Sequence, residues 1–220
     1  MNIINKLLRK DQSKKVALYQ YKNESGEFDY EKYKEIQTKG NKAKIEKTWV
    51  TEDEIKYLSL ELKKLLPNVK SGICHGTRRG LEQKWFSENL NCPVIGTEIS
   101  DSASQFENTI QWDFHEVKED WIGKFDFVYS NSFDHSYNPE KALRAWMSTL
   151  SPGGICIIEY TDNHSVAKAT ELDPFGVEFE YLPYLVLNWS LGMFSVRKIL
   201  HSSFVKEIGG EVRYLIIQNN

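Results

Sequence analysis

Cysteine is scarce in this chain: Cys74, Cys92 and Cys156 are the only three in 220 residues, and no two form a Cys-x-x-Cys pair. An odd count without paired spacing excludes a disulfide framework and argues against structural zinc, so no metal site is expected. Two of the three stand in strongly apolar surroundings, which suits the reduced, buried thiols of a cytoplasmic protein. Long hydrophobic runs are also missing. The start, Met1 to Lys10, holds only Ile3, Ile4, Leu7 and Leu8 as a brief apolar stretch, too short for a signal-peptide core or a membrane span. There is no internal repeat, no low-complexity segment, no nucleic-acid-binding motif and no tight Gly-x-Gly-x-x-Gly turn.

What remains has the balance of a soluble enzyme-sized domain, with 40% apolar and 27% charged residues and an aromatic share, 13%, above the ordinary. The length fits one α/β domain with an extension rather than two independent domains. Net charge is −3, but unevenly spread: residues 1–48 carry 12 Lys/Arg against 7 Asp/Glu, leaving 16 against 24 for the rest. A basic N-terminal extension, 1–48, therefore precedes an acidic body, 49–220. An acidic body discourages a polyanionic nucleic acid, so no nucleic acid is expected, and with no apolar run long enough for a span no membrane is expected either.

The periodicities give the order of elements. Residues 1–48 read as strand or loop followed by a short helix. Thr51 with Glu54 fits a capping box, and Ile55, Leu58, Leu60, Leu62, Leu65 and Leu66 give a roughly helical stripe that stops before Pro67. Gly72 to His75 reads as a strand, Leu81 to Leu90 as a helix, and Pro93 to Glu98, Asn108 to Trp112 and Phe125 to Ser130 as strands. Asn138, Pro139 and Glu140 open a helix to Leu150, closed by Ser151-Pro152-Gly153-Gly154 before a strand from Ile155 to Tyr160. Val177 to Leu191 reads as an aromatic-rich helix interrupted by Pro183, and Ser195 to Ser202 and Glu211 to Gln218 as closing antiparallel strands. Strand and helix in alternation predict parallel pairing with right-handed crossovers, an open doubly wound sheet.

In such a sheet ligands bind beyond the carboxyl ends of the strands, so the residues following each strand carry the functional expectation. After the first comes His75-Gly76-Thr77-Arg78-Arg79-Gly80: Gly76 permits the tight turn, Gly80 a close approach of the helix, and the helix N-terminus offers free N–H groups. The second ends in Glu98, the residue type and spacing that accept hydrogen bonds from ribose hydroxyls. The third is followed by Asp113, and the fourth by Asn131, Ser132, Asp134 and His135.

Taken together these motifs resemble the class I S-adenosylmethionine-dependent methyltransferases from roughly Lys70 to Tyr160. The resemblance is carried by the glycine turn Gly76 to Gly80, the acids Glu98 and Asp113, the strand Phe125 to Asn131, the Asp134-His135 pair and Leu150 to Gly154. It implies a Rossmann-like, mostly parallel seven-stranded sheet with one antiparallel strand. It also implies S-adenosylmethionine as cofactor, with its methionine part near Gly76 to Gly80, ribose on Glu98, and adenine beside Ile99 and on Asp113. Where the family commonly has an acid opening the turn and a glycine at its centre, this chain has Cys74 and Arg78; the guanidinium of Arg78 or Arg79 offers a two-pronged contact to the methionine carboxylate.

Asn131 and Ser132 are expected to bond the cofactor. His135 is the expected general base, oriented by Asp134, with His115 and His164 as the alternatives. Phe175, Phe179, Tyr181, Tyr184, Trp189 and Phe194 suggest an aromatic lid, and Gln37, Asn41, Lys42 and Trp49 suggest an extension that closes over the acceptor. The expected reaction is methylation, at oxygen, of a small molecule or carbohydrate. A NAD-dependent oxidoreductase and a non-catalytic module of the same fold are the alternatives.

Overall fold

A computed structural model describes residues 14–220; the apolar stretch from Ile3 to Leu8 lies outside them. The main sheet has seven strands. β2 (Gly72–His75), β3 (Val94–Glu98), β4 (Thr109–Gln111), β5 (Phe125–Ser130) and β6 (Leu150–Tyr160) run parallel, in the order β4-β3-β2-β5-β6. The hairpin of β8 (Phe194–Lys206) and β9 (Gly210–Asn219) completes the sheet, with β9 antiparallel between β6 and β8. A separate pair, β1 (Val16–Leu18) and β7 (Phe175–Val177), is antiparallel. The seven-stranded expectation with one reversed strand therefore holds.

The central strands are buried on both sides, and their side chains alternate between two cores. Ile73, Val128, Cys156, Ile158, Leu215 and Ile217 face one; Cys74, Phe127, Tyr129, Ile157, Tyr214 and Ile216 face the other. That period of two is the sequence pattern of a sheet covered on both faces. The second core is closed by α2 (Glu52–Leu65) and α3 (Leu81–Leu90), and the first by α4 (Pro139–Thr149) and α5 (Leu182–Ser190); α1 (Tyr30–Ala43) belongs to neither core and crosses the sheet's carboxyl edge. The capping box at Thr51 is present with both of its bonds, and Asn138 accepts from Lys141 N.

Three expectations change. Pro183 opens α5 instead of interrupting a longer helix, because a proline in the first turn lacks only an N–H that the helix would leave unpaired. Ser151 to Gly154 is taken into β6 through a register shift opposite Phe125 and Phe127. The aromatic segment is core, not lid: Phe175, Phe179 and Phe194 are buried, Tyr181 and Trp189 pack against the same cluster, and the exposed Tyr184 lines neither cavity of the sheet's carboxyl edge. Its apolar rings are drawn under α4 and the β6–β9 pair, where burial of each stabilises by about 1.5–3 kcal/mol.

Candidate functional site

The chain enters the sheet at β2, builds outward through β3 and β4, then returns to place β5 on the other side of β2. The crevice at that reversal, beyond the strands' carboxyl ends, is where such folds bind ligands. Two adjoining cavities occupy it, of about 550 and 1540 Å³ counting space open to solvent, and both are lined by Lys44, Gly76, Arg78, Ser132 and His135.

Glu98 and Asp113 line the smaller cavity with Ile99, Phe114 and Leu172. Glu98 is almost fully buried; burial pushes its carboxyl up, while N–H bonds from Ser100 and Arg78, each 3.1 Å, oppose that rise. Asp113 is held differently. Burial alone would raise it, yet His115 donates to Oδ1 from N (2.9 Å) and bonds it through Nδ1 (2.7 Å), and Tyr30 donates to Oδ2 (2.9 Å), so the carboxyl lies below its ordinary value. His115 is fully buried, stacked on Tyr137, and bonded on its other nitrogen to Ser136; it is a support for Asp113 and does not reach either cavity.

The roof of this cavity is one face of α1. Tyr33, Gln37, Gly40, Asn41 and the cap residue Lys44 recur at three- and four-residue steps and line the space. Gln37 and Asn41 were expected at the site; Tyr30 and Tyr33 were not, although their spacing continues the same stripe. Lys42 instead pairs with Asp101 at the surface (2.7 Å), and Trp49 lines the larger cavity.

The glycine turn differs from expectation in two ways. Gly76 has φ +73°, and a Cβ there would lie 2.6 Å from Ser132 Cβ and 2.7 Å from its Oγ, so the turn needs a glycine. Gly80 also has φ +73°, but it faces Gln83 and Thr109 and lines neither cavity: its role is to let α3 pack on β4. Arg78, at φ +44°, does not leave its guanidinium for a carboxylate. Its Nη1 donates to the carbonyls of Lys44 (3.2 Å) and Lys47 (2.9 Å), while Arg79 reaches Glu46 and Thr48. Both arginines thus clasp the segment after α1, because the carbonyls at a helix end lack partners. Cys74 is buried in the α2–α3 core and its thiol is pushed well up. It does not replace an acid.

A carboxyl does stand nearby. Glu82, in the first turn of α3, lines the larger cavity; among the described residues its side chain has no ion pair and one long hydrogen bond, from Asn131 Nδ2 (3.5 Å). Burial pushes it up to about 7. Sequence reasoning missed it, since an acid in a helix's first turn ordinarily serves the helix dipole.

Beyond it lie His135, Asp134, His164 and Asp173, all in the larger cavity. His135 Nδ1 is 3.0 Å from the carbonyl of Leu172 and 2.9 Å from Gln37 Oε1. A carbonyl only accepts, so Nδ1 carries the hydrogen and, in the neutral ring, Nε2 carries the lone pair. That nitrogen is 3.5 Å from Asp173 Oδ1. Asp134 does not orient His135 as expected; it faces His164, whose Nε2 is 3.6 Å from Asp134 Oδ2. Thr161 N donates to His164 Nδ1, so the hydrogen of that ring is on Nε2 and points at Asp134. Asp134 Oδ1 is buried without a partner among the described residues.

Comparisons agree with the geometry. The family model described as a methyltransferase domain matches residues 50–202. Among solved structures, 1,6-didemethyltoxoflavin-N1-methyltransferase of Burkholderia thailandensis, with its substrate and S-adenosylhomocysteine bound, superposes with a TM-score of 0.68 at 13% identity, covering 96% of this chain and 97% of that one. The N-methyltransferase NodS of Bradyrhizobium japonicum WM9 gives 0.61 at 12% identity, covering 84% and 98%. The plantazolicin methyltransferase BpumL gives 0.64 at 12%, covering 86% and 96%. No curated protein matches the sequence. With more than half its length matched and the seven-stranded architecture in place, the chain belongs to the methyltransferase domain family and has the class I S-adenosylmethionine-dependent fold.

Proposed function

We propose that this S-adenosylmethionine-dependent methyltransferase modifies a hydroxyl oxygen of a small molecule or carbohydrate. The observation that carries the reading is one continuous cleft with unlike ends. One end has carboxylates at strand termini beside flat apolar walls, and the other has histidine and carboxylate side chains. The donor set fits the cofactor: Glu98 for the ribose, Ile99 and Asp113 for the adenine, and Gly76, Asn131, Ser132 and Glu82 around the methionine part, where an unpaired carboxyl suits an ammonium group. Bound there, the cofactor supplies a sulfonium methyl that passes to an acceptor lone pair while the electrons of the broken C–S bond stay on sulfur.

The chain's own contribution is alignment and removal of the acceptor's proton. His135 and its carboxylate neighbours gather electron-pair donors at one point of the cleft, and they relieve the hydroxyl of its hydrogen. Residues 14–48 cover the cleft through α1, and 49–220 form the catalytic body.

The test is a calorimetric titration with S-adenosylhomocysteine together with turnover on a panel of hydroxylated acceptors. Glu98→Gln should weaken binding about 10- to 100-fold, the loss of a charge-assisted hydrogen bond of about 1.5–3 kcal/mol. His135→Ala should bind normally and lose turnover. Equal turnover in His135→Ala and the parent, or unchanged binding in Glu98→Gln, overturns the assignment.

A further inference from the structure

His135, Asp134 and Asp173 each place a ligand atom within 4.8 Å of the other two. The hydrogen positions deduced above make this arrangement unusual. Nε2 aims a lone pair at a carboxylate oxygen 3.5 Å away. The buried Oδ1 of Asp134 has no partner among the described residues, and the ring N–H of His164 is directed at Oδ2 instead. With the His135 ring neutral, three electron-pair donors converge with no hydrogen among them. Side chains that are 8% exposed, as Asp134 is, do not keep an unpaired carboxylate oxygen without cost. A positive centre between them removes that cost.

We infer that Asp134, His135 and Asp173 form a divalent cation site at the acceptor end of the cleft. The surroundings are those of a built ligand set. His135 donates its other ring hydrogen to the Leu172 carbonyl, the bond that commonly fixes the tautomer of a metal-ligating histidine. Gln37 supports both by donating to that same carbonyl (2.8 Å) while its oxygen faces Nδ1. One imidazole and two carboxylates suit a borderline-hard ion of the Mn²⁺ kind and leave positions open for oxygen ligands. Asp173 comes from the turn before β7 and the other two from the segment after β5, so no spacing along the chain joins the three.

The inference rests on the reading of this cavity as the acceptor end and specifies what it binds: an acceptor presenting adjacent oxygens, one of them the reacting hydroxyl. With the ion in place the electron pair of His135 is engaged in coordination. The coordinated hydroxyl then loses its proton to the second oxygen of Asp173 and so to water at the cavity mouth, and its oxygen keeps the pair that attacks the methyl carbon.

The experiment is a titration of Mn²⁺ into the chelator-dialysed full-length chain, following the loss of the free-ion electron paramagnetic resonance signal. One ion per chain is expected. Asp173→Asn, at a half-buried loop position, and Asp134→Asn should each weaken binding at least tenfold, while Glu140→Gln, on the surface of α4, should not change it. S-adenosylhomocysteine titrations on the same samples separate the two readings: normal cofactor binding with no Mn²⁺ uptake by the parent chain, or with equal uptake in Asp173→Asn, sinks the cation site and leaves the methyltransferase standing. Should Asp134→Asn fail to fold, Asp173→Asn alone decides.

Discussion

Arg78 sits where a glycine would be at ease and a carboxylate contact was expected, so replacing it separates three effects. Its backbone, at φ +44°, is in a region that costs an L-residue about 1–2 kcal/mol. Its side chain makes two hydrogen bonds, of 3.2 and 2.9 Å, to the carbonyls of Lys44 and Lys47. Because both are partly solvent-exposed, about 1 kcal/mol each, the lower part of the range for such bonds, is the appropriate magnitude. Arg78→Met removes the bonds and keeps the strain, so local opening of residues 44–48 should become easier by about 2 kcal/mol, roughly 30-fold in amide exchange rate. Arg78→Gly removes both, and its global stability should exceed that of Arg78→Met by about 1 kcal/mol. Hydrogen exchange with mass-spectrometric readout measures the first, and urea unfolding the second. The cofactor gives the sharpest check. If Arg78 acts only by holding the roof, Arg78→Met weakens S-adenosylhomocysteine and its decarboxylated analogue equally; a loss confined to the carboxylate-bearing compound, with exchange at 44–48 unchanged, refutes the clasp.

Glu82 gives the chain a pH signature. Its carboxyl is raised to about 7, so the folded state holds the proton more tightly than the unfolded chain; the associated stability is full below the ordinary carboxyl range and is lost as pH rises through about 7. Thermal unfolding of the parent should therefore decline, relative to Glu82→Gln, between pH 5 and 8. Cofactor affinity should move the other way, rising through the same interval in the parent and staying flat in Glu82→Gln; parallel profiles would remove Glu82 from the ammonium contact. Gly76→Ala combines left-handed strain with the 2.6 Å approach to Ser132 Cβ, and should cost about 2–4 kcal/mol in urea unfolding. Adding Ser132→Gly should restore the steric part but not the backbone part, and full recovery would show that φ at Gly76 carries no strain.

The strand-end residues were legible because they need only two pieces of information, both local. Apolar runs bounded by turns locate β2, β3 and β5, and the topology rule then carries Gly76, Glu98 and His135 to one edge without any knowledge of side-chain contacts. The roof was harder. The stripe Tyr33, Gln37, Asn41, Lys44 has helical spacing but a polar composition, and a helix that faces a cavity instead of a core lacks the apolar signature by which helices are read. Tyr30 escapes notice for the same reason, although its hydroxyl completes the bonds of Asp113. Arg78 is a different kind of miss. Its partners are backbone carbonyls, and every residue has one, so no pattern of side chains distinguishes Lys44 and Lys47 from any other pair.

The two departures from the family pattern then have one physical account. The turn carries an arginine because it must hold a roof that comes from another part of the chain. The carboxyl absent at Cys74 stands instead at Glu82, in the first turn of α3, where it lines the cavity rather than the core. A sequence motif records the residues of the turn alone; the cleft is built by the turn and whatever packs over it, and a change in the second permits a change in the first.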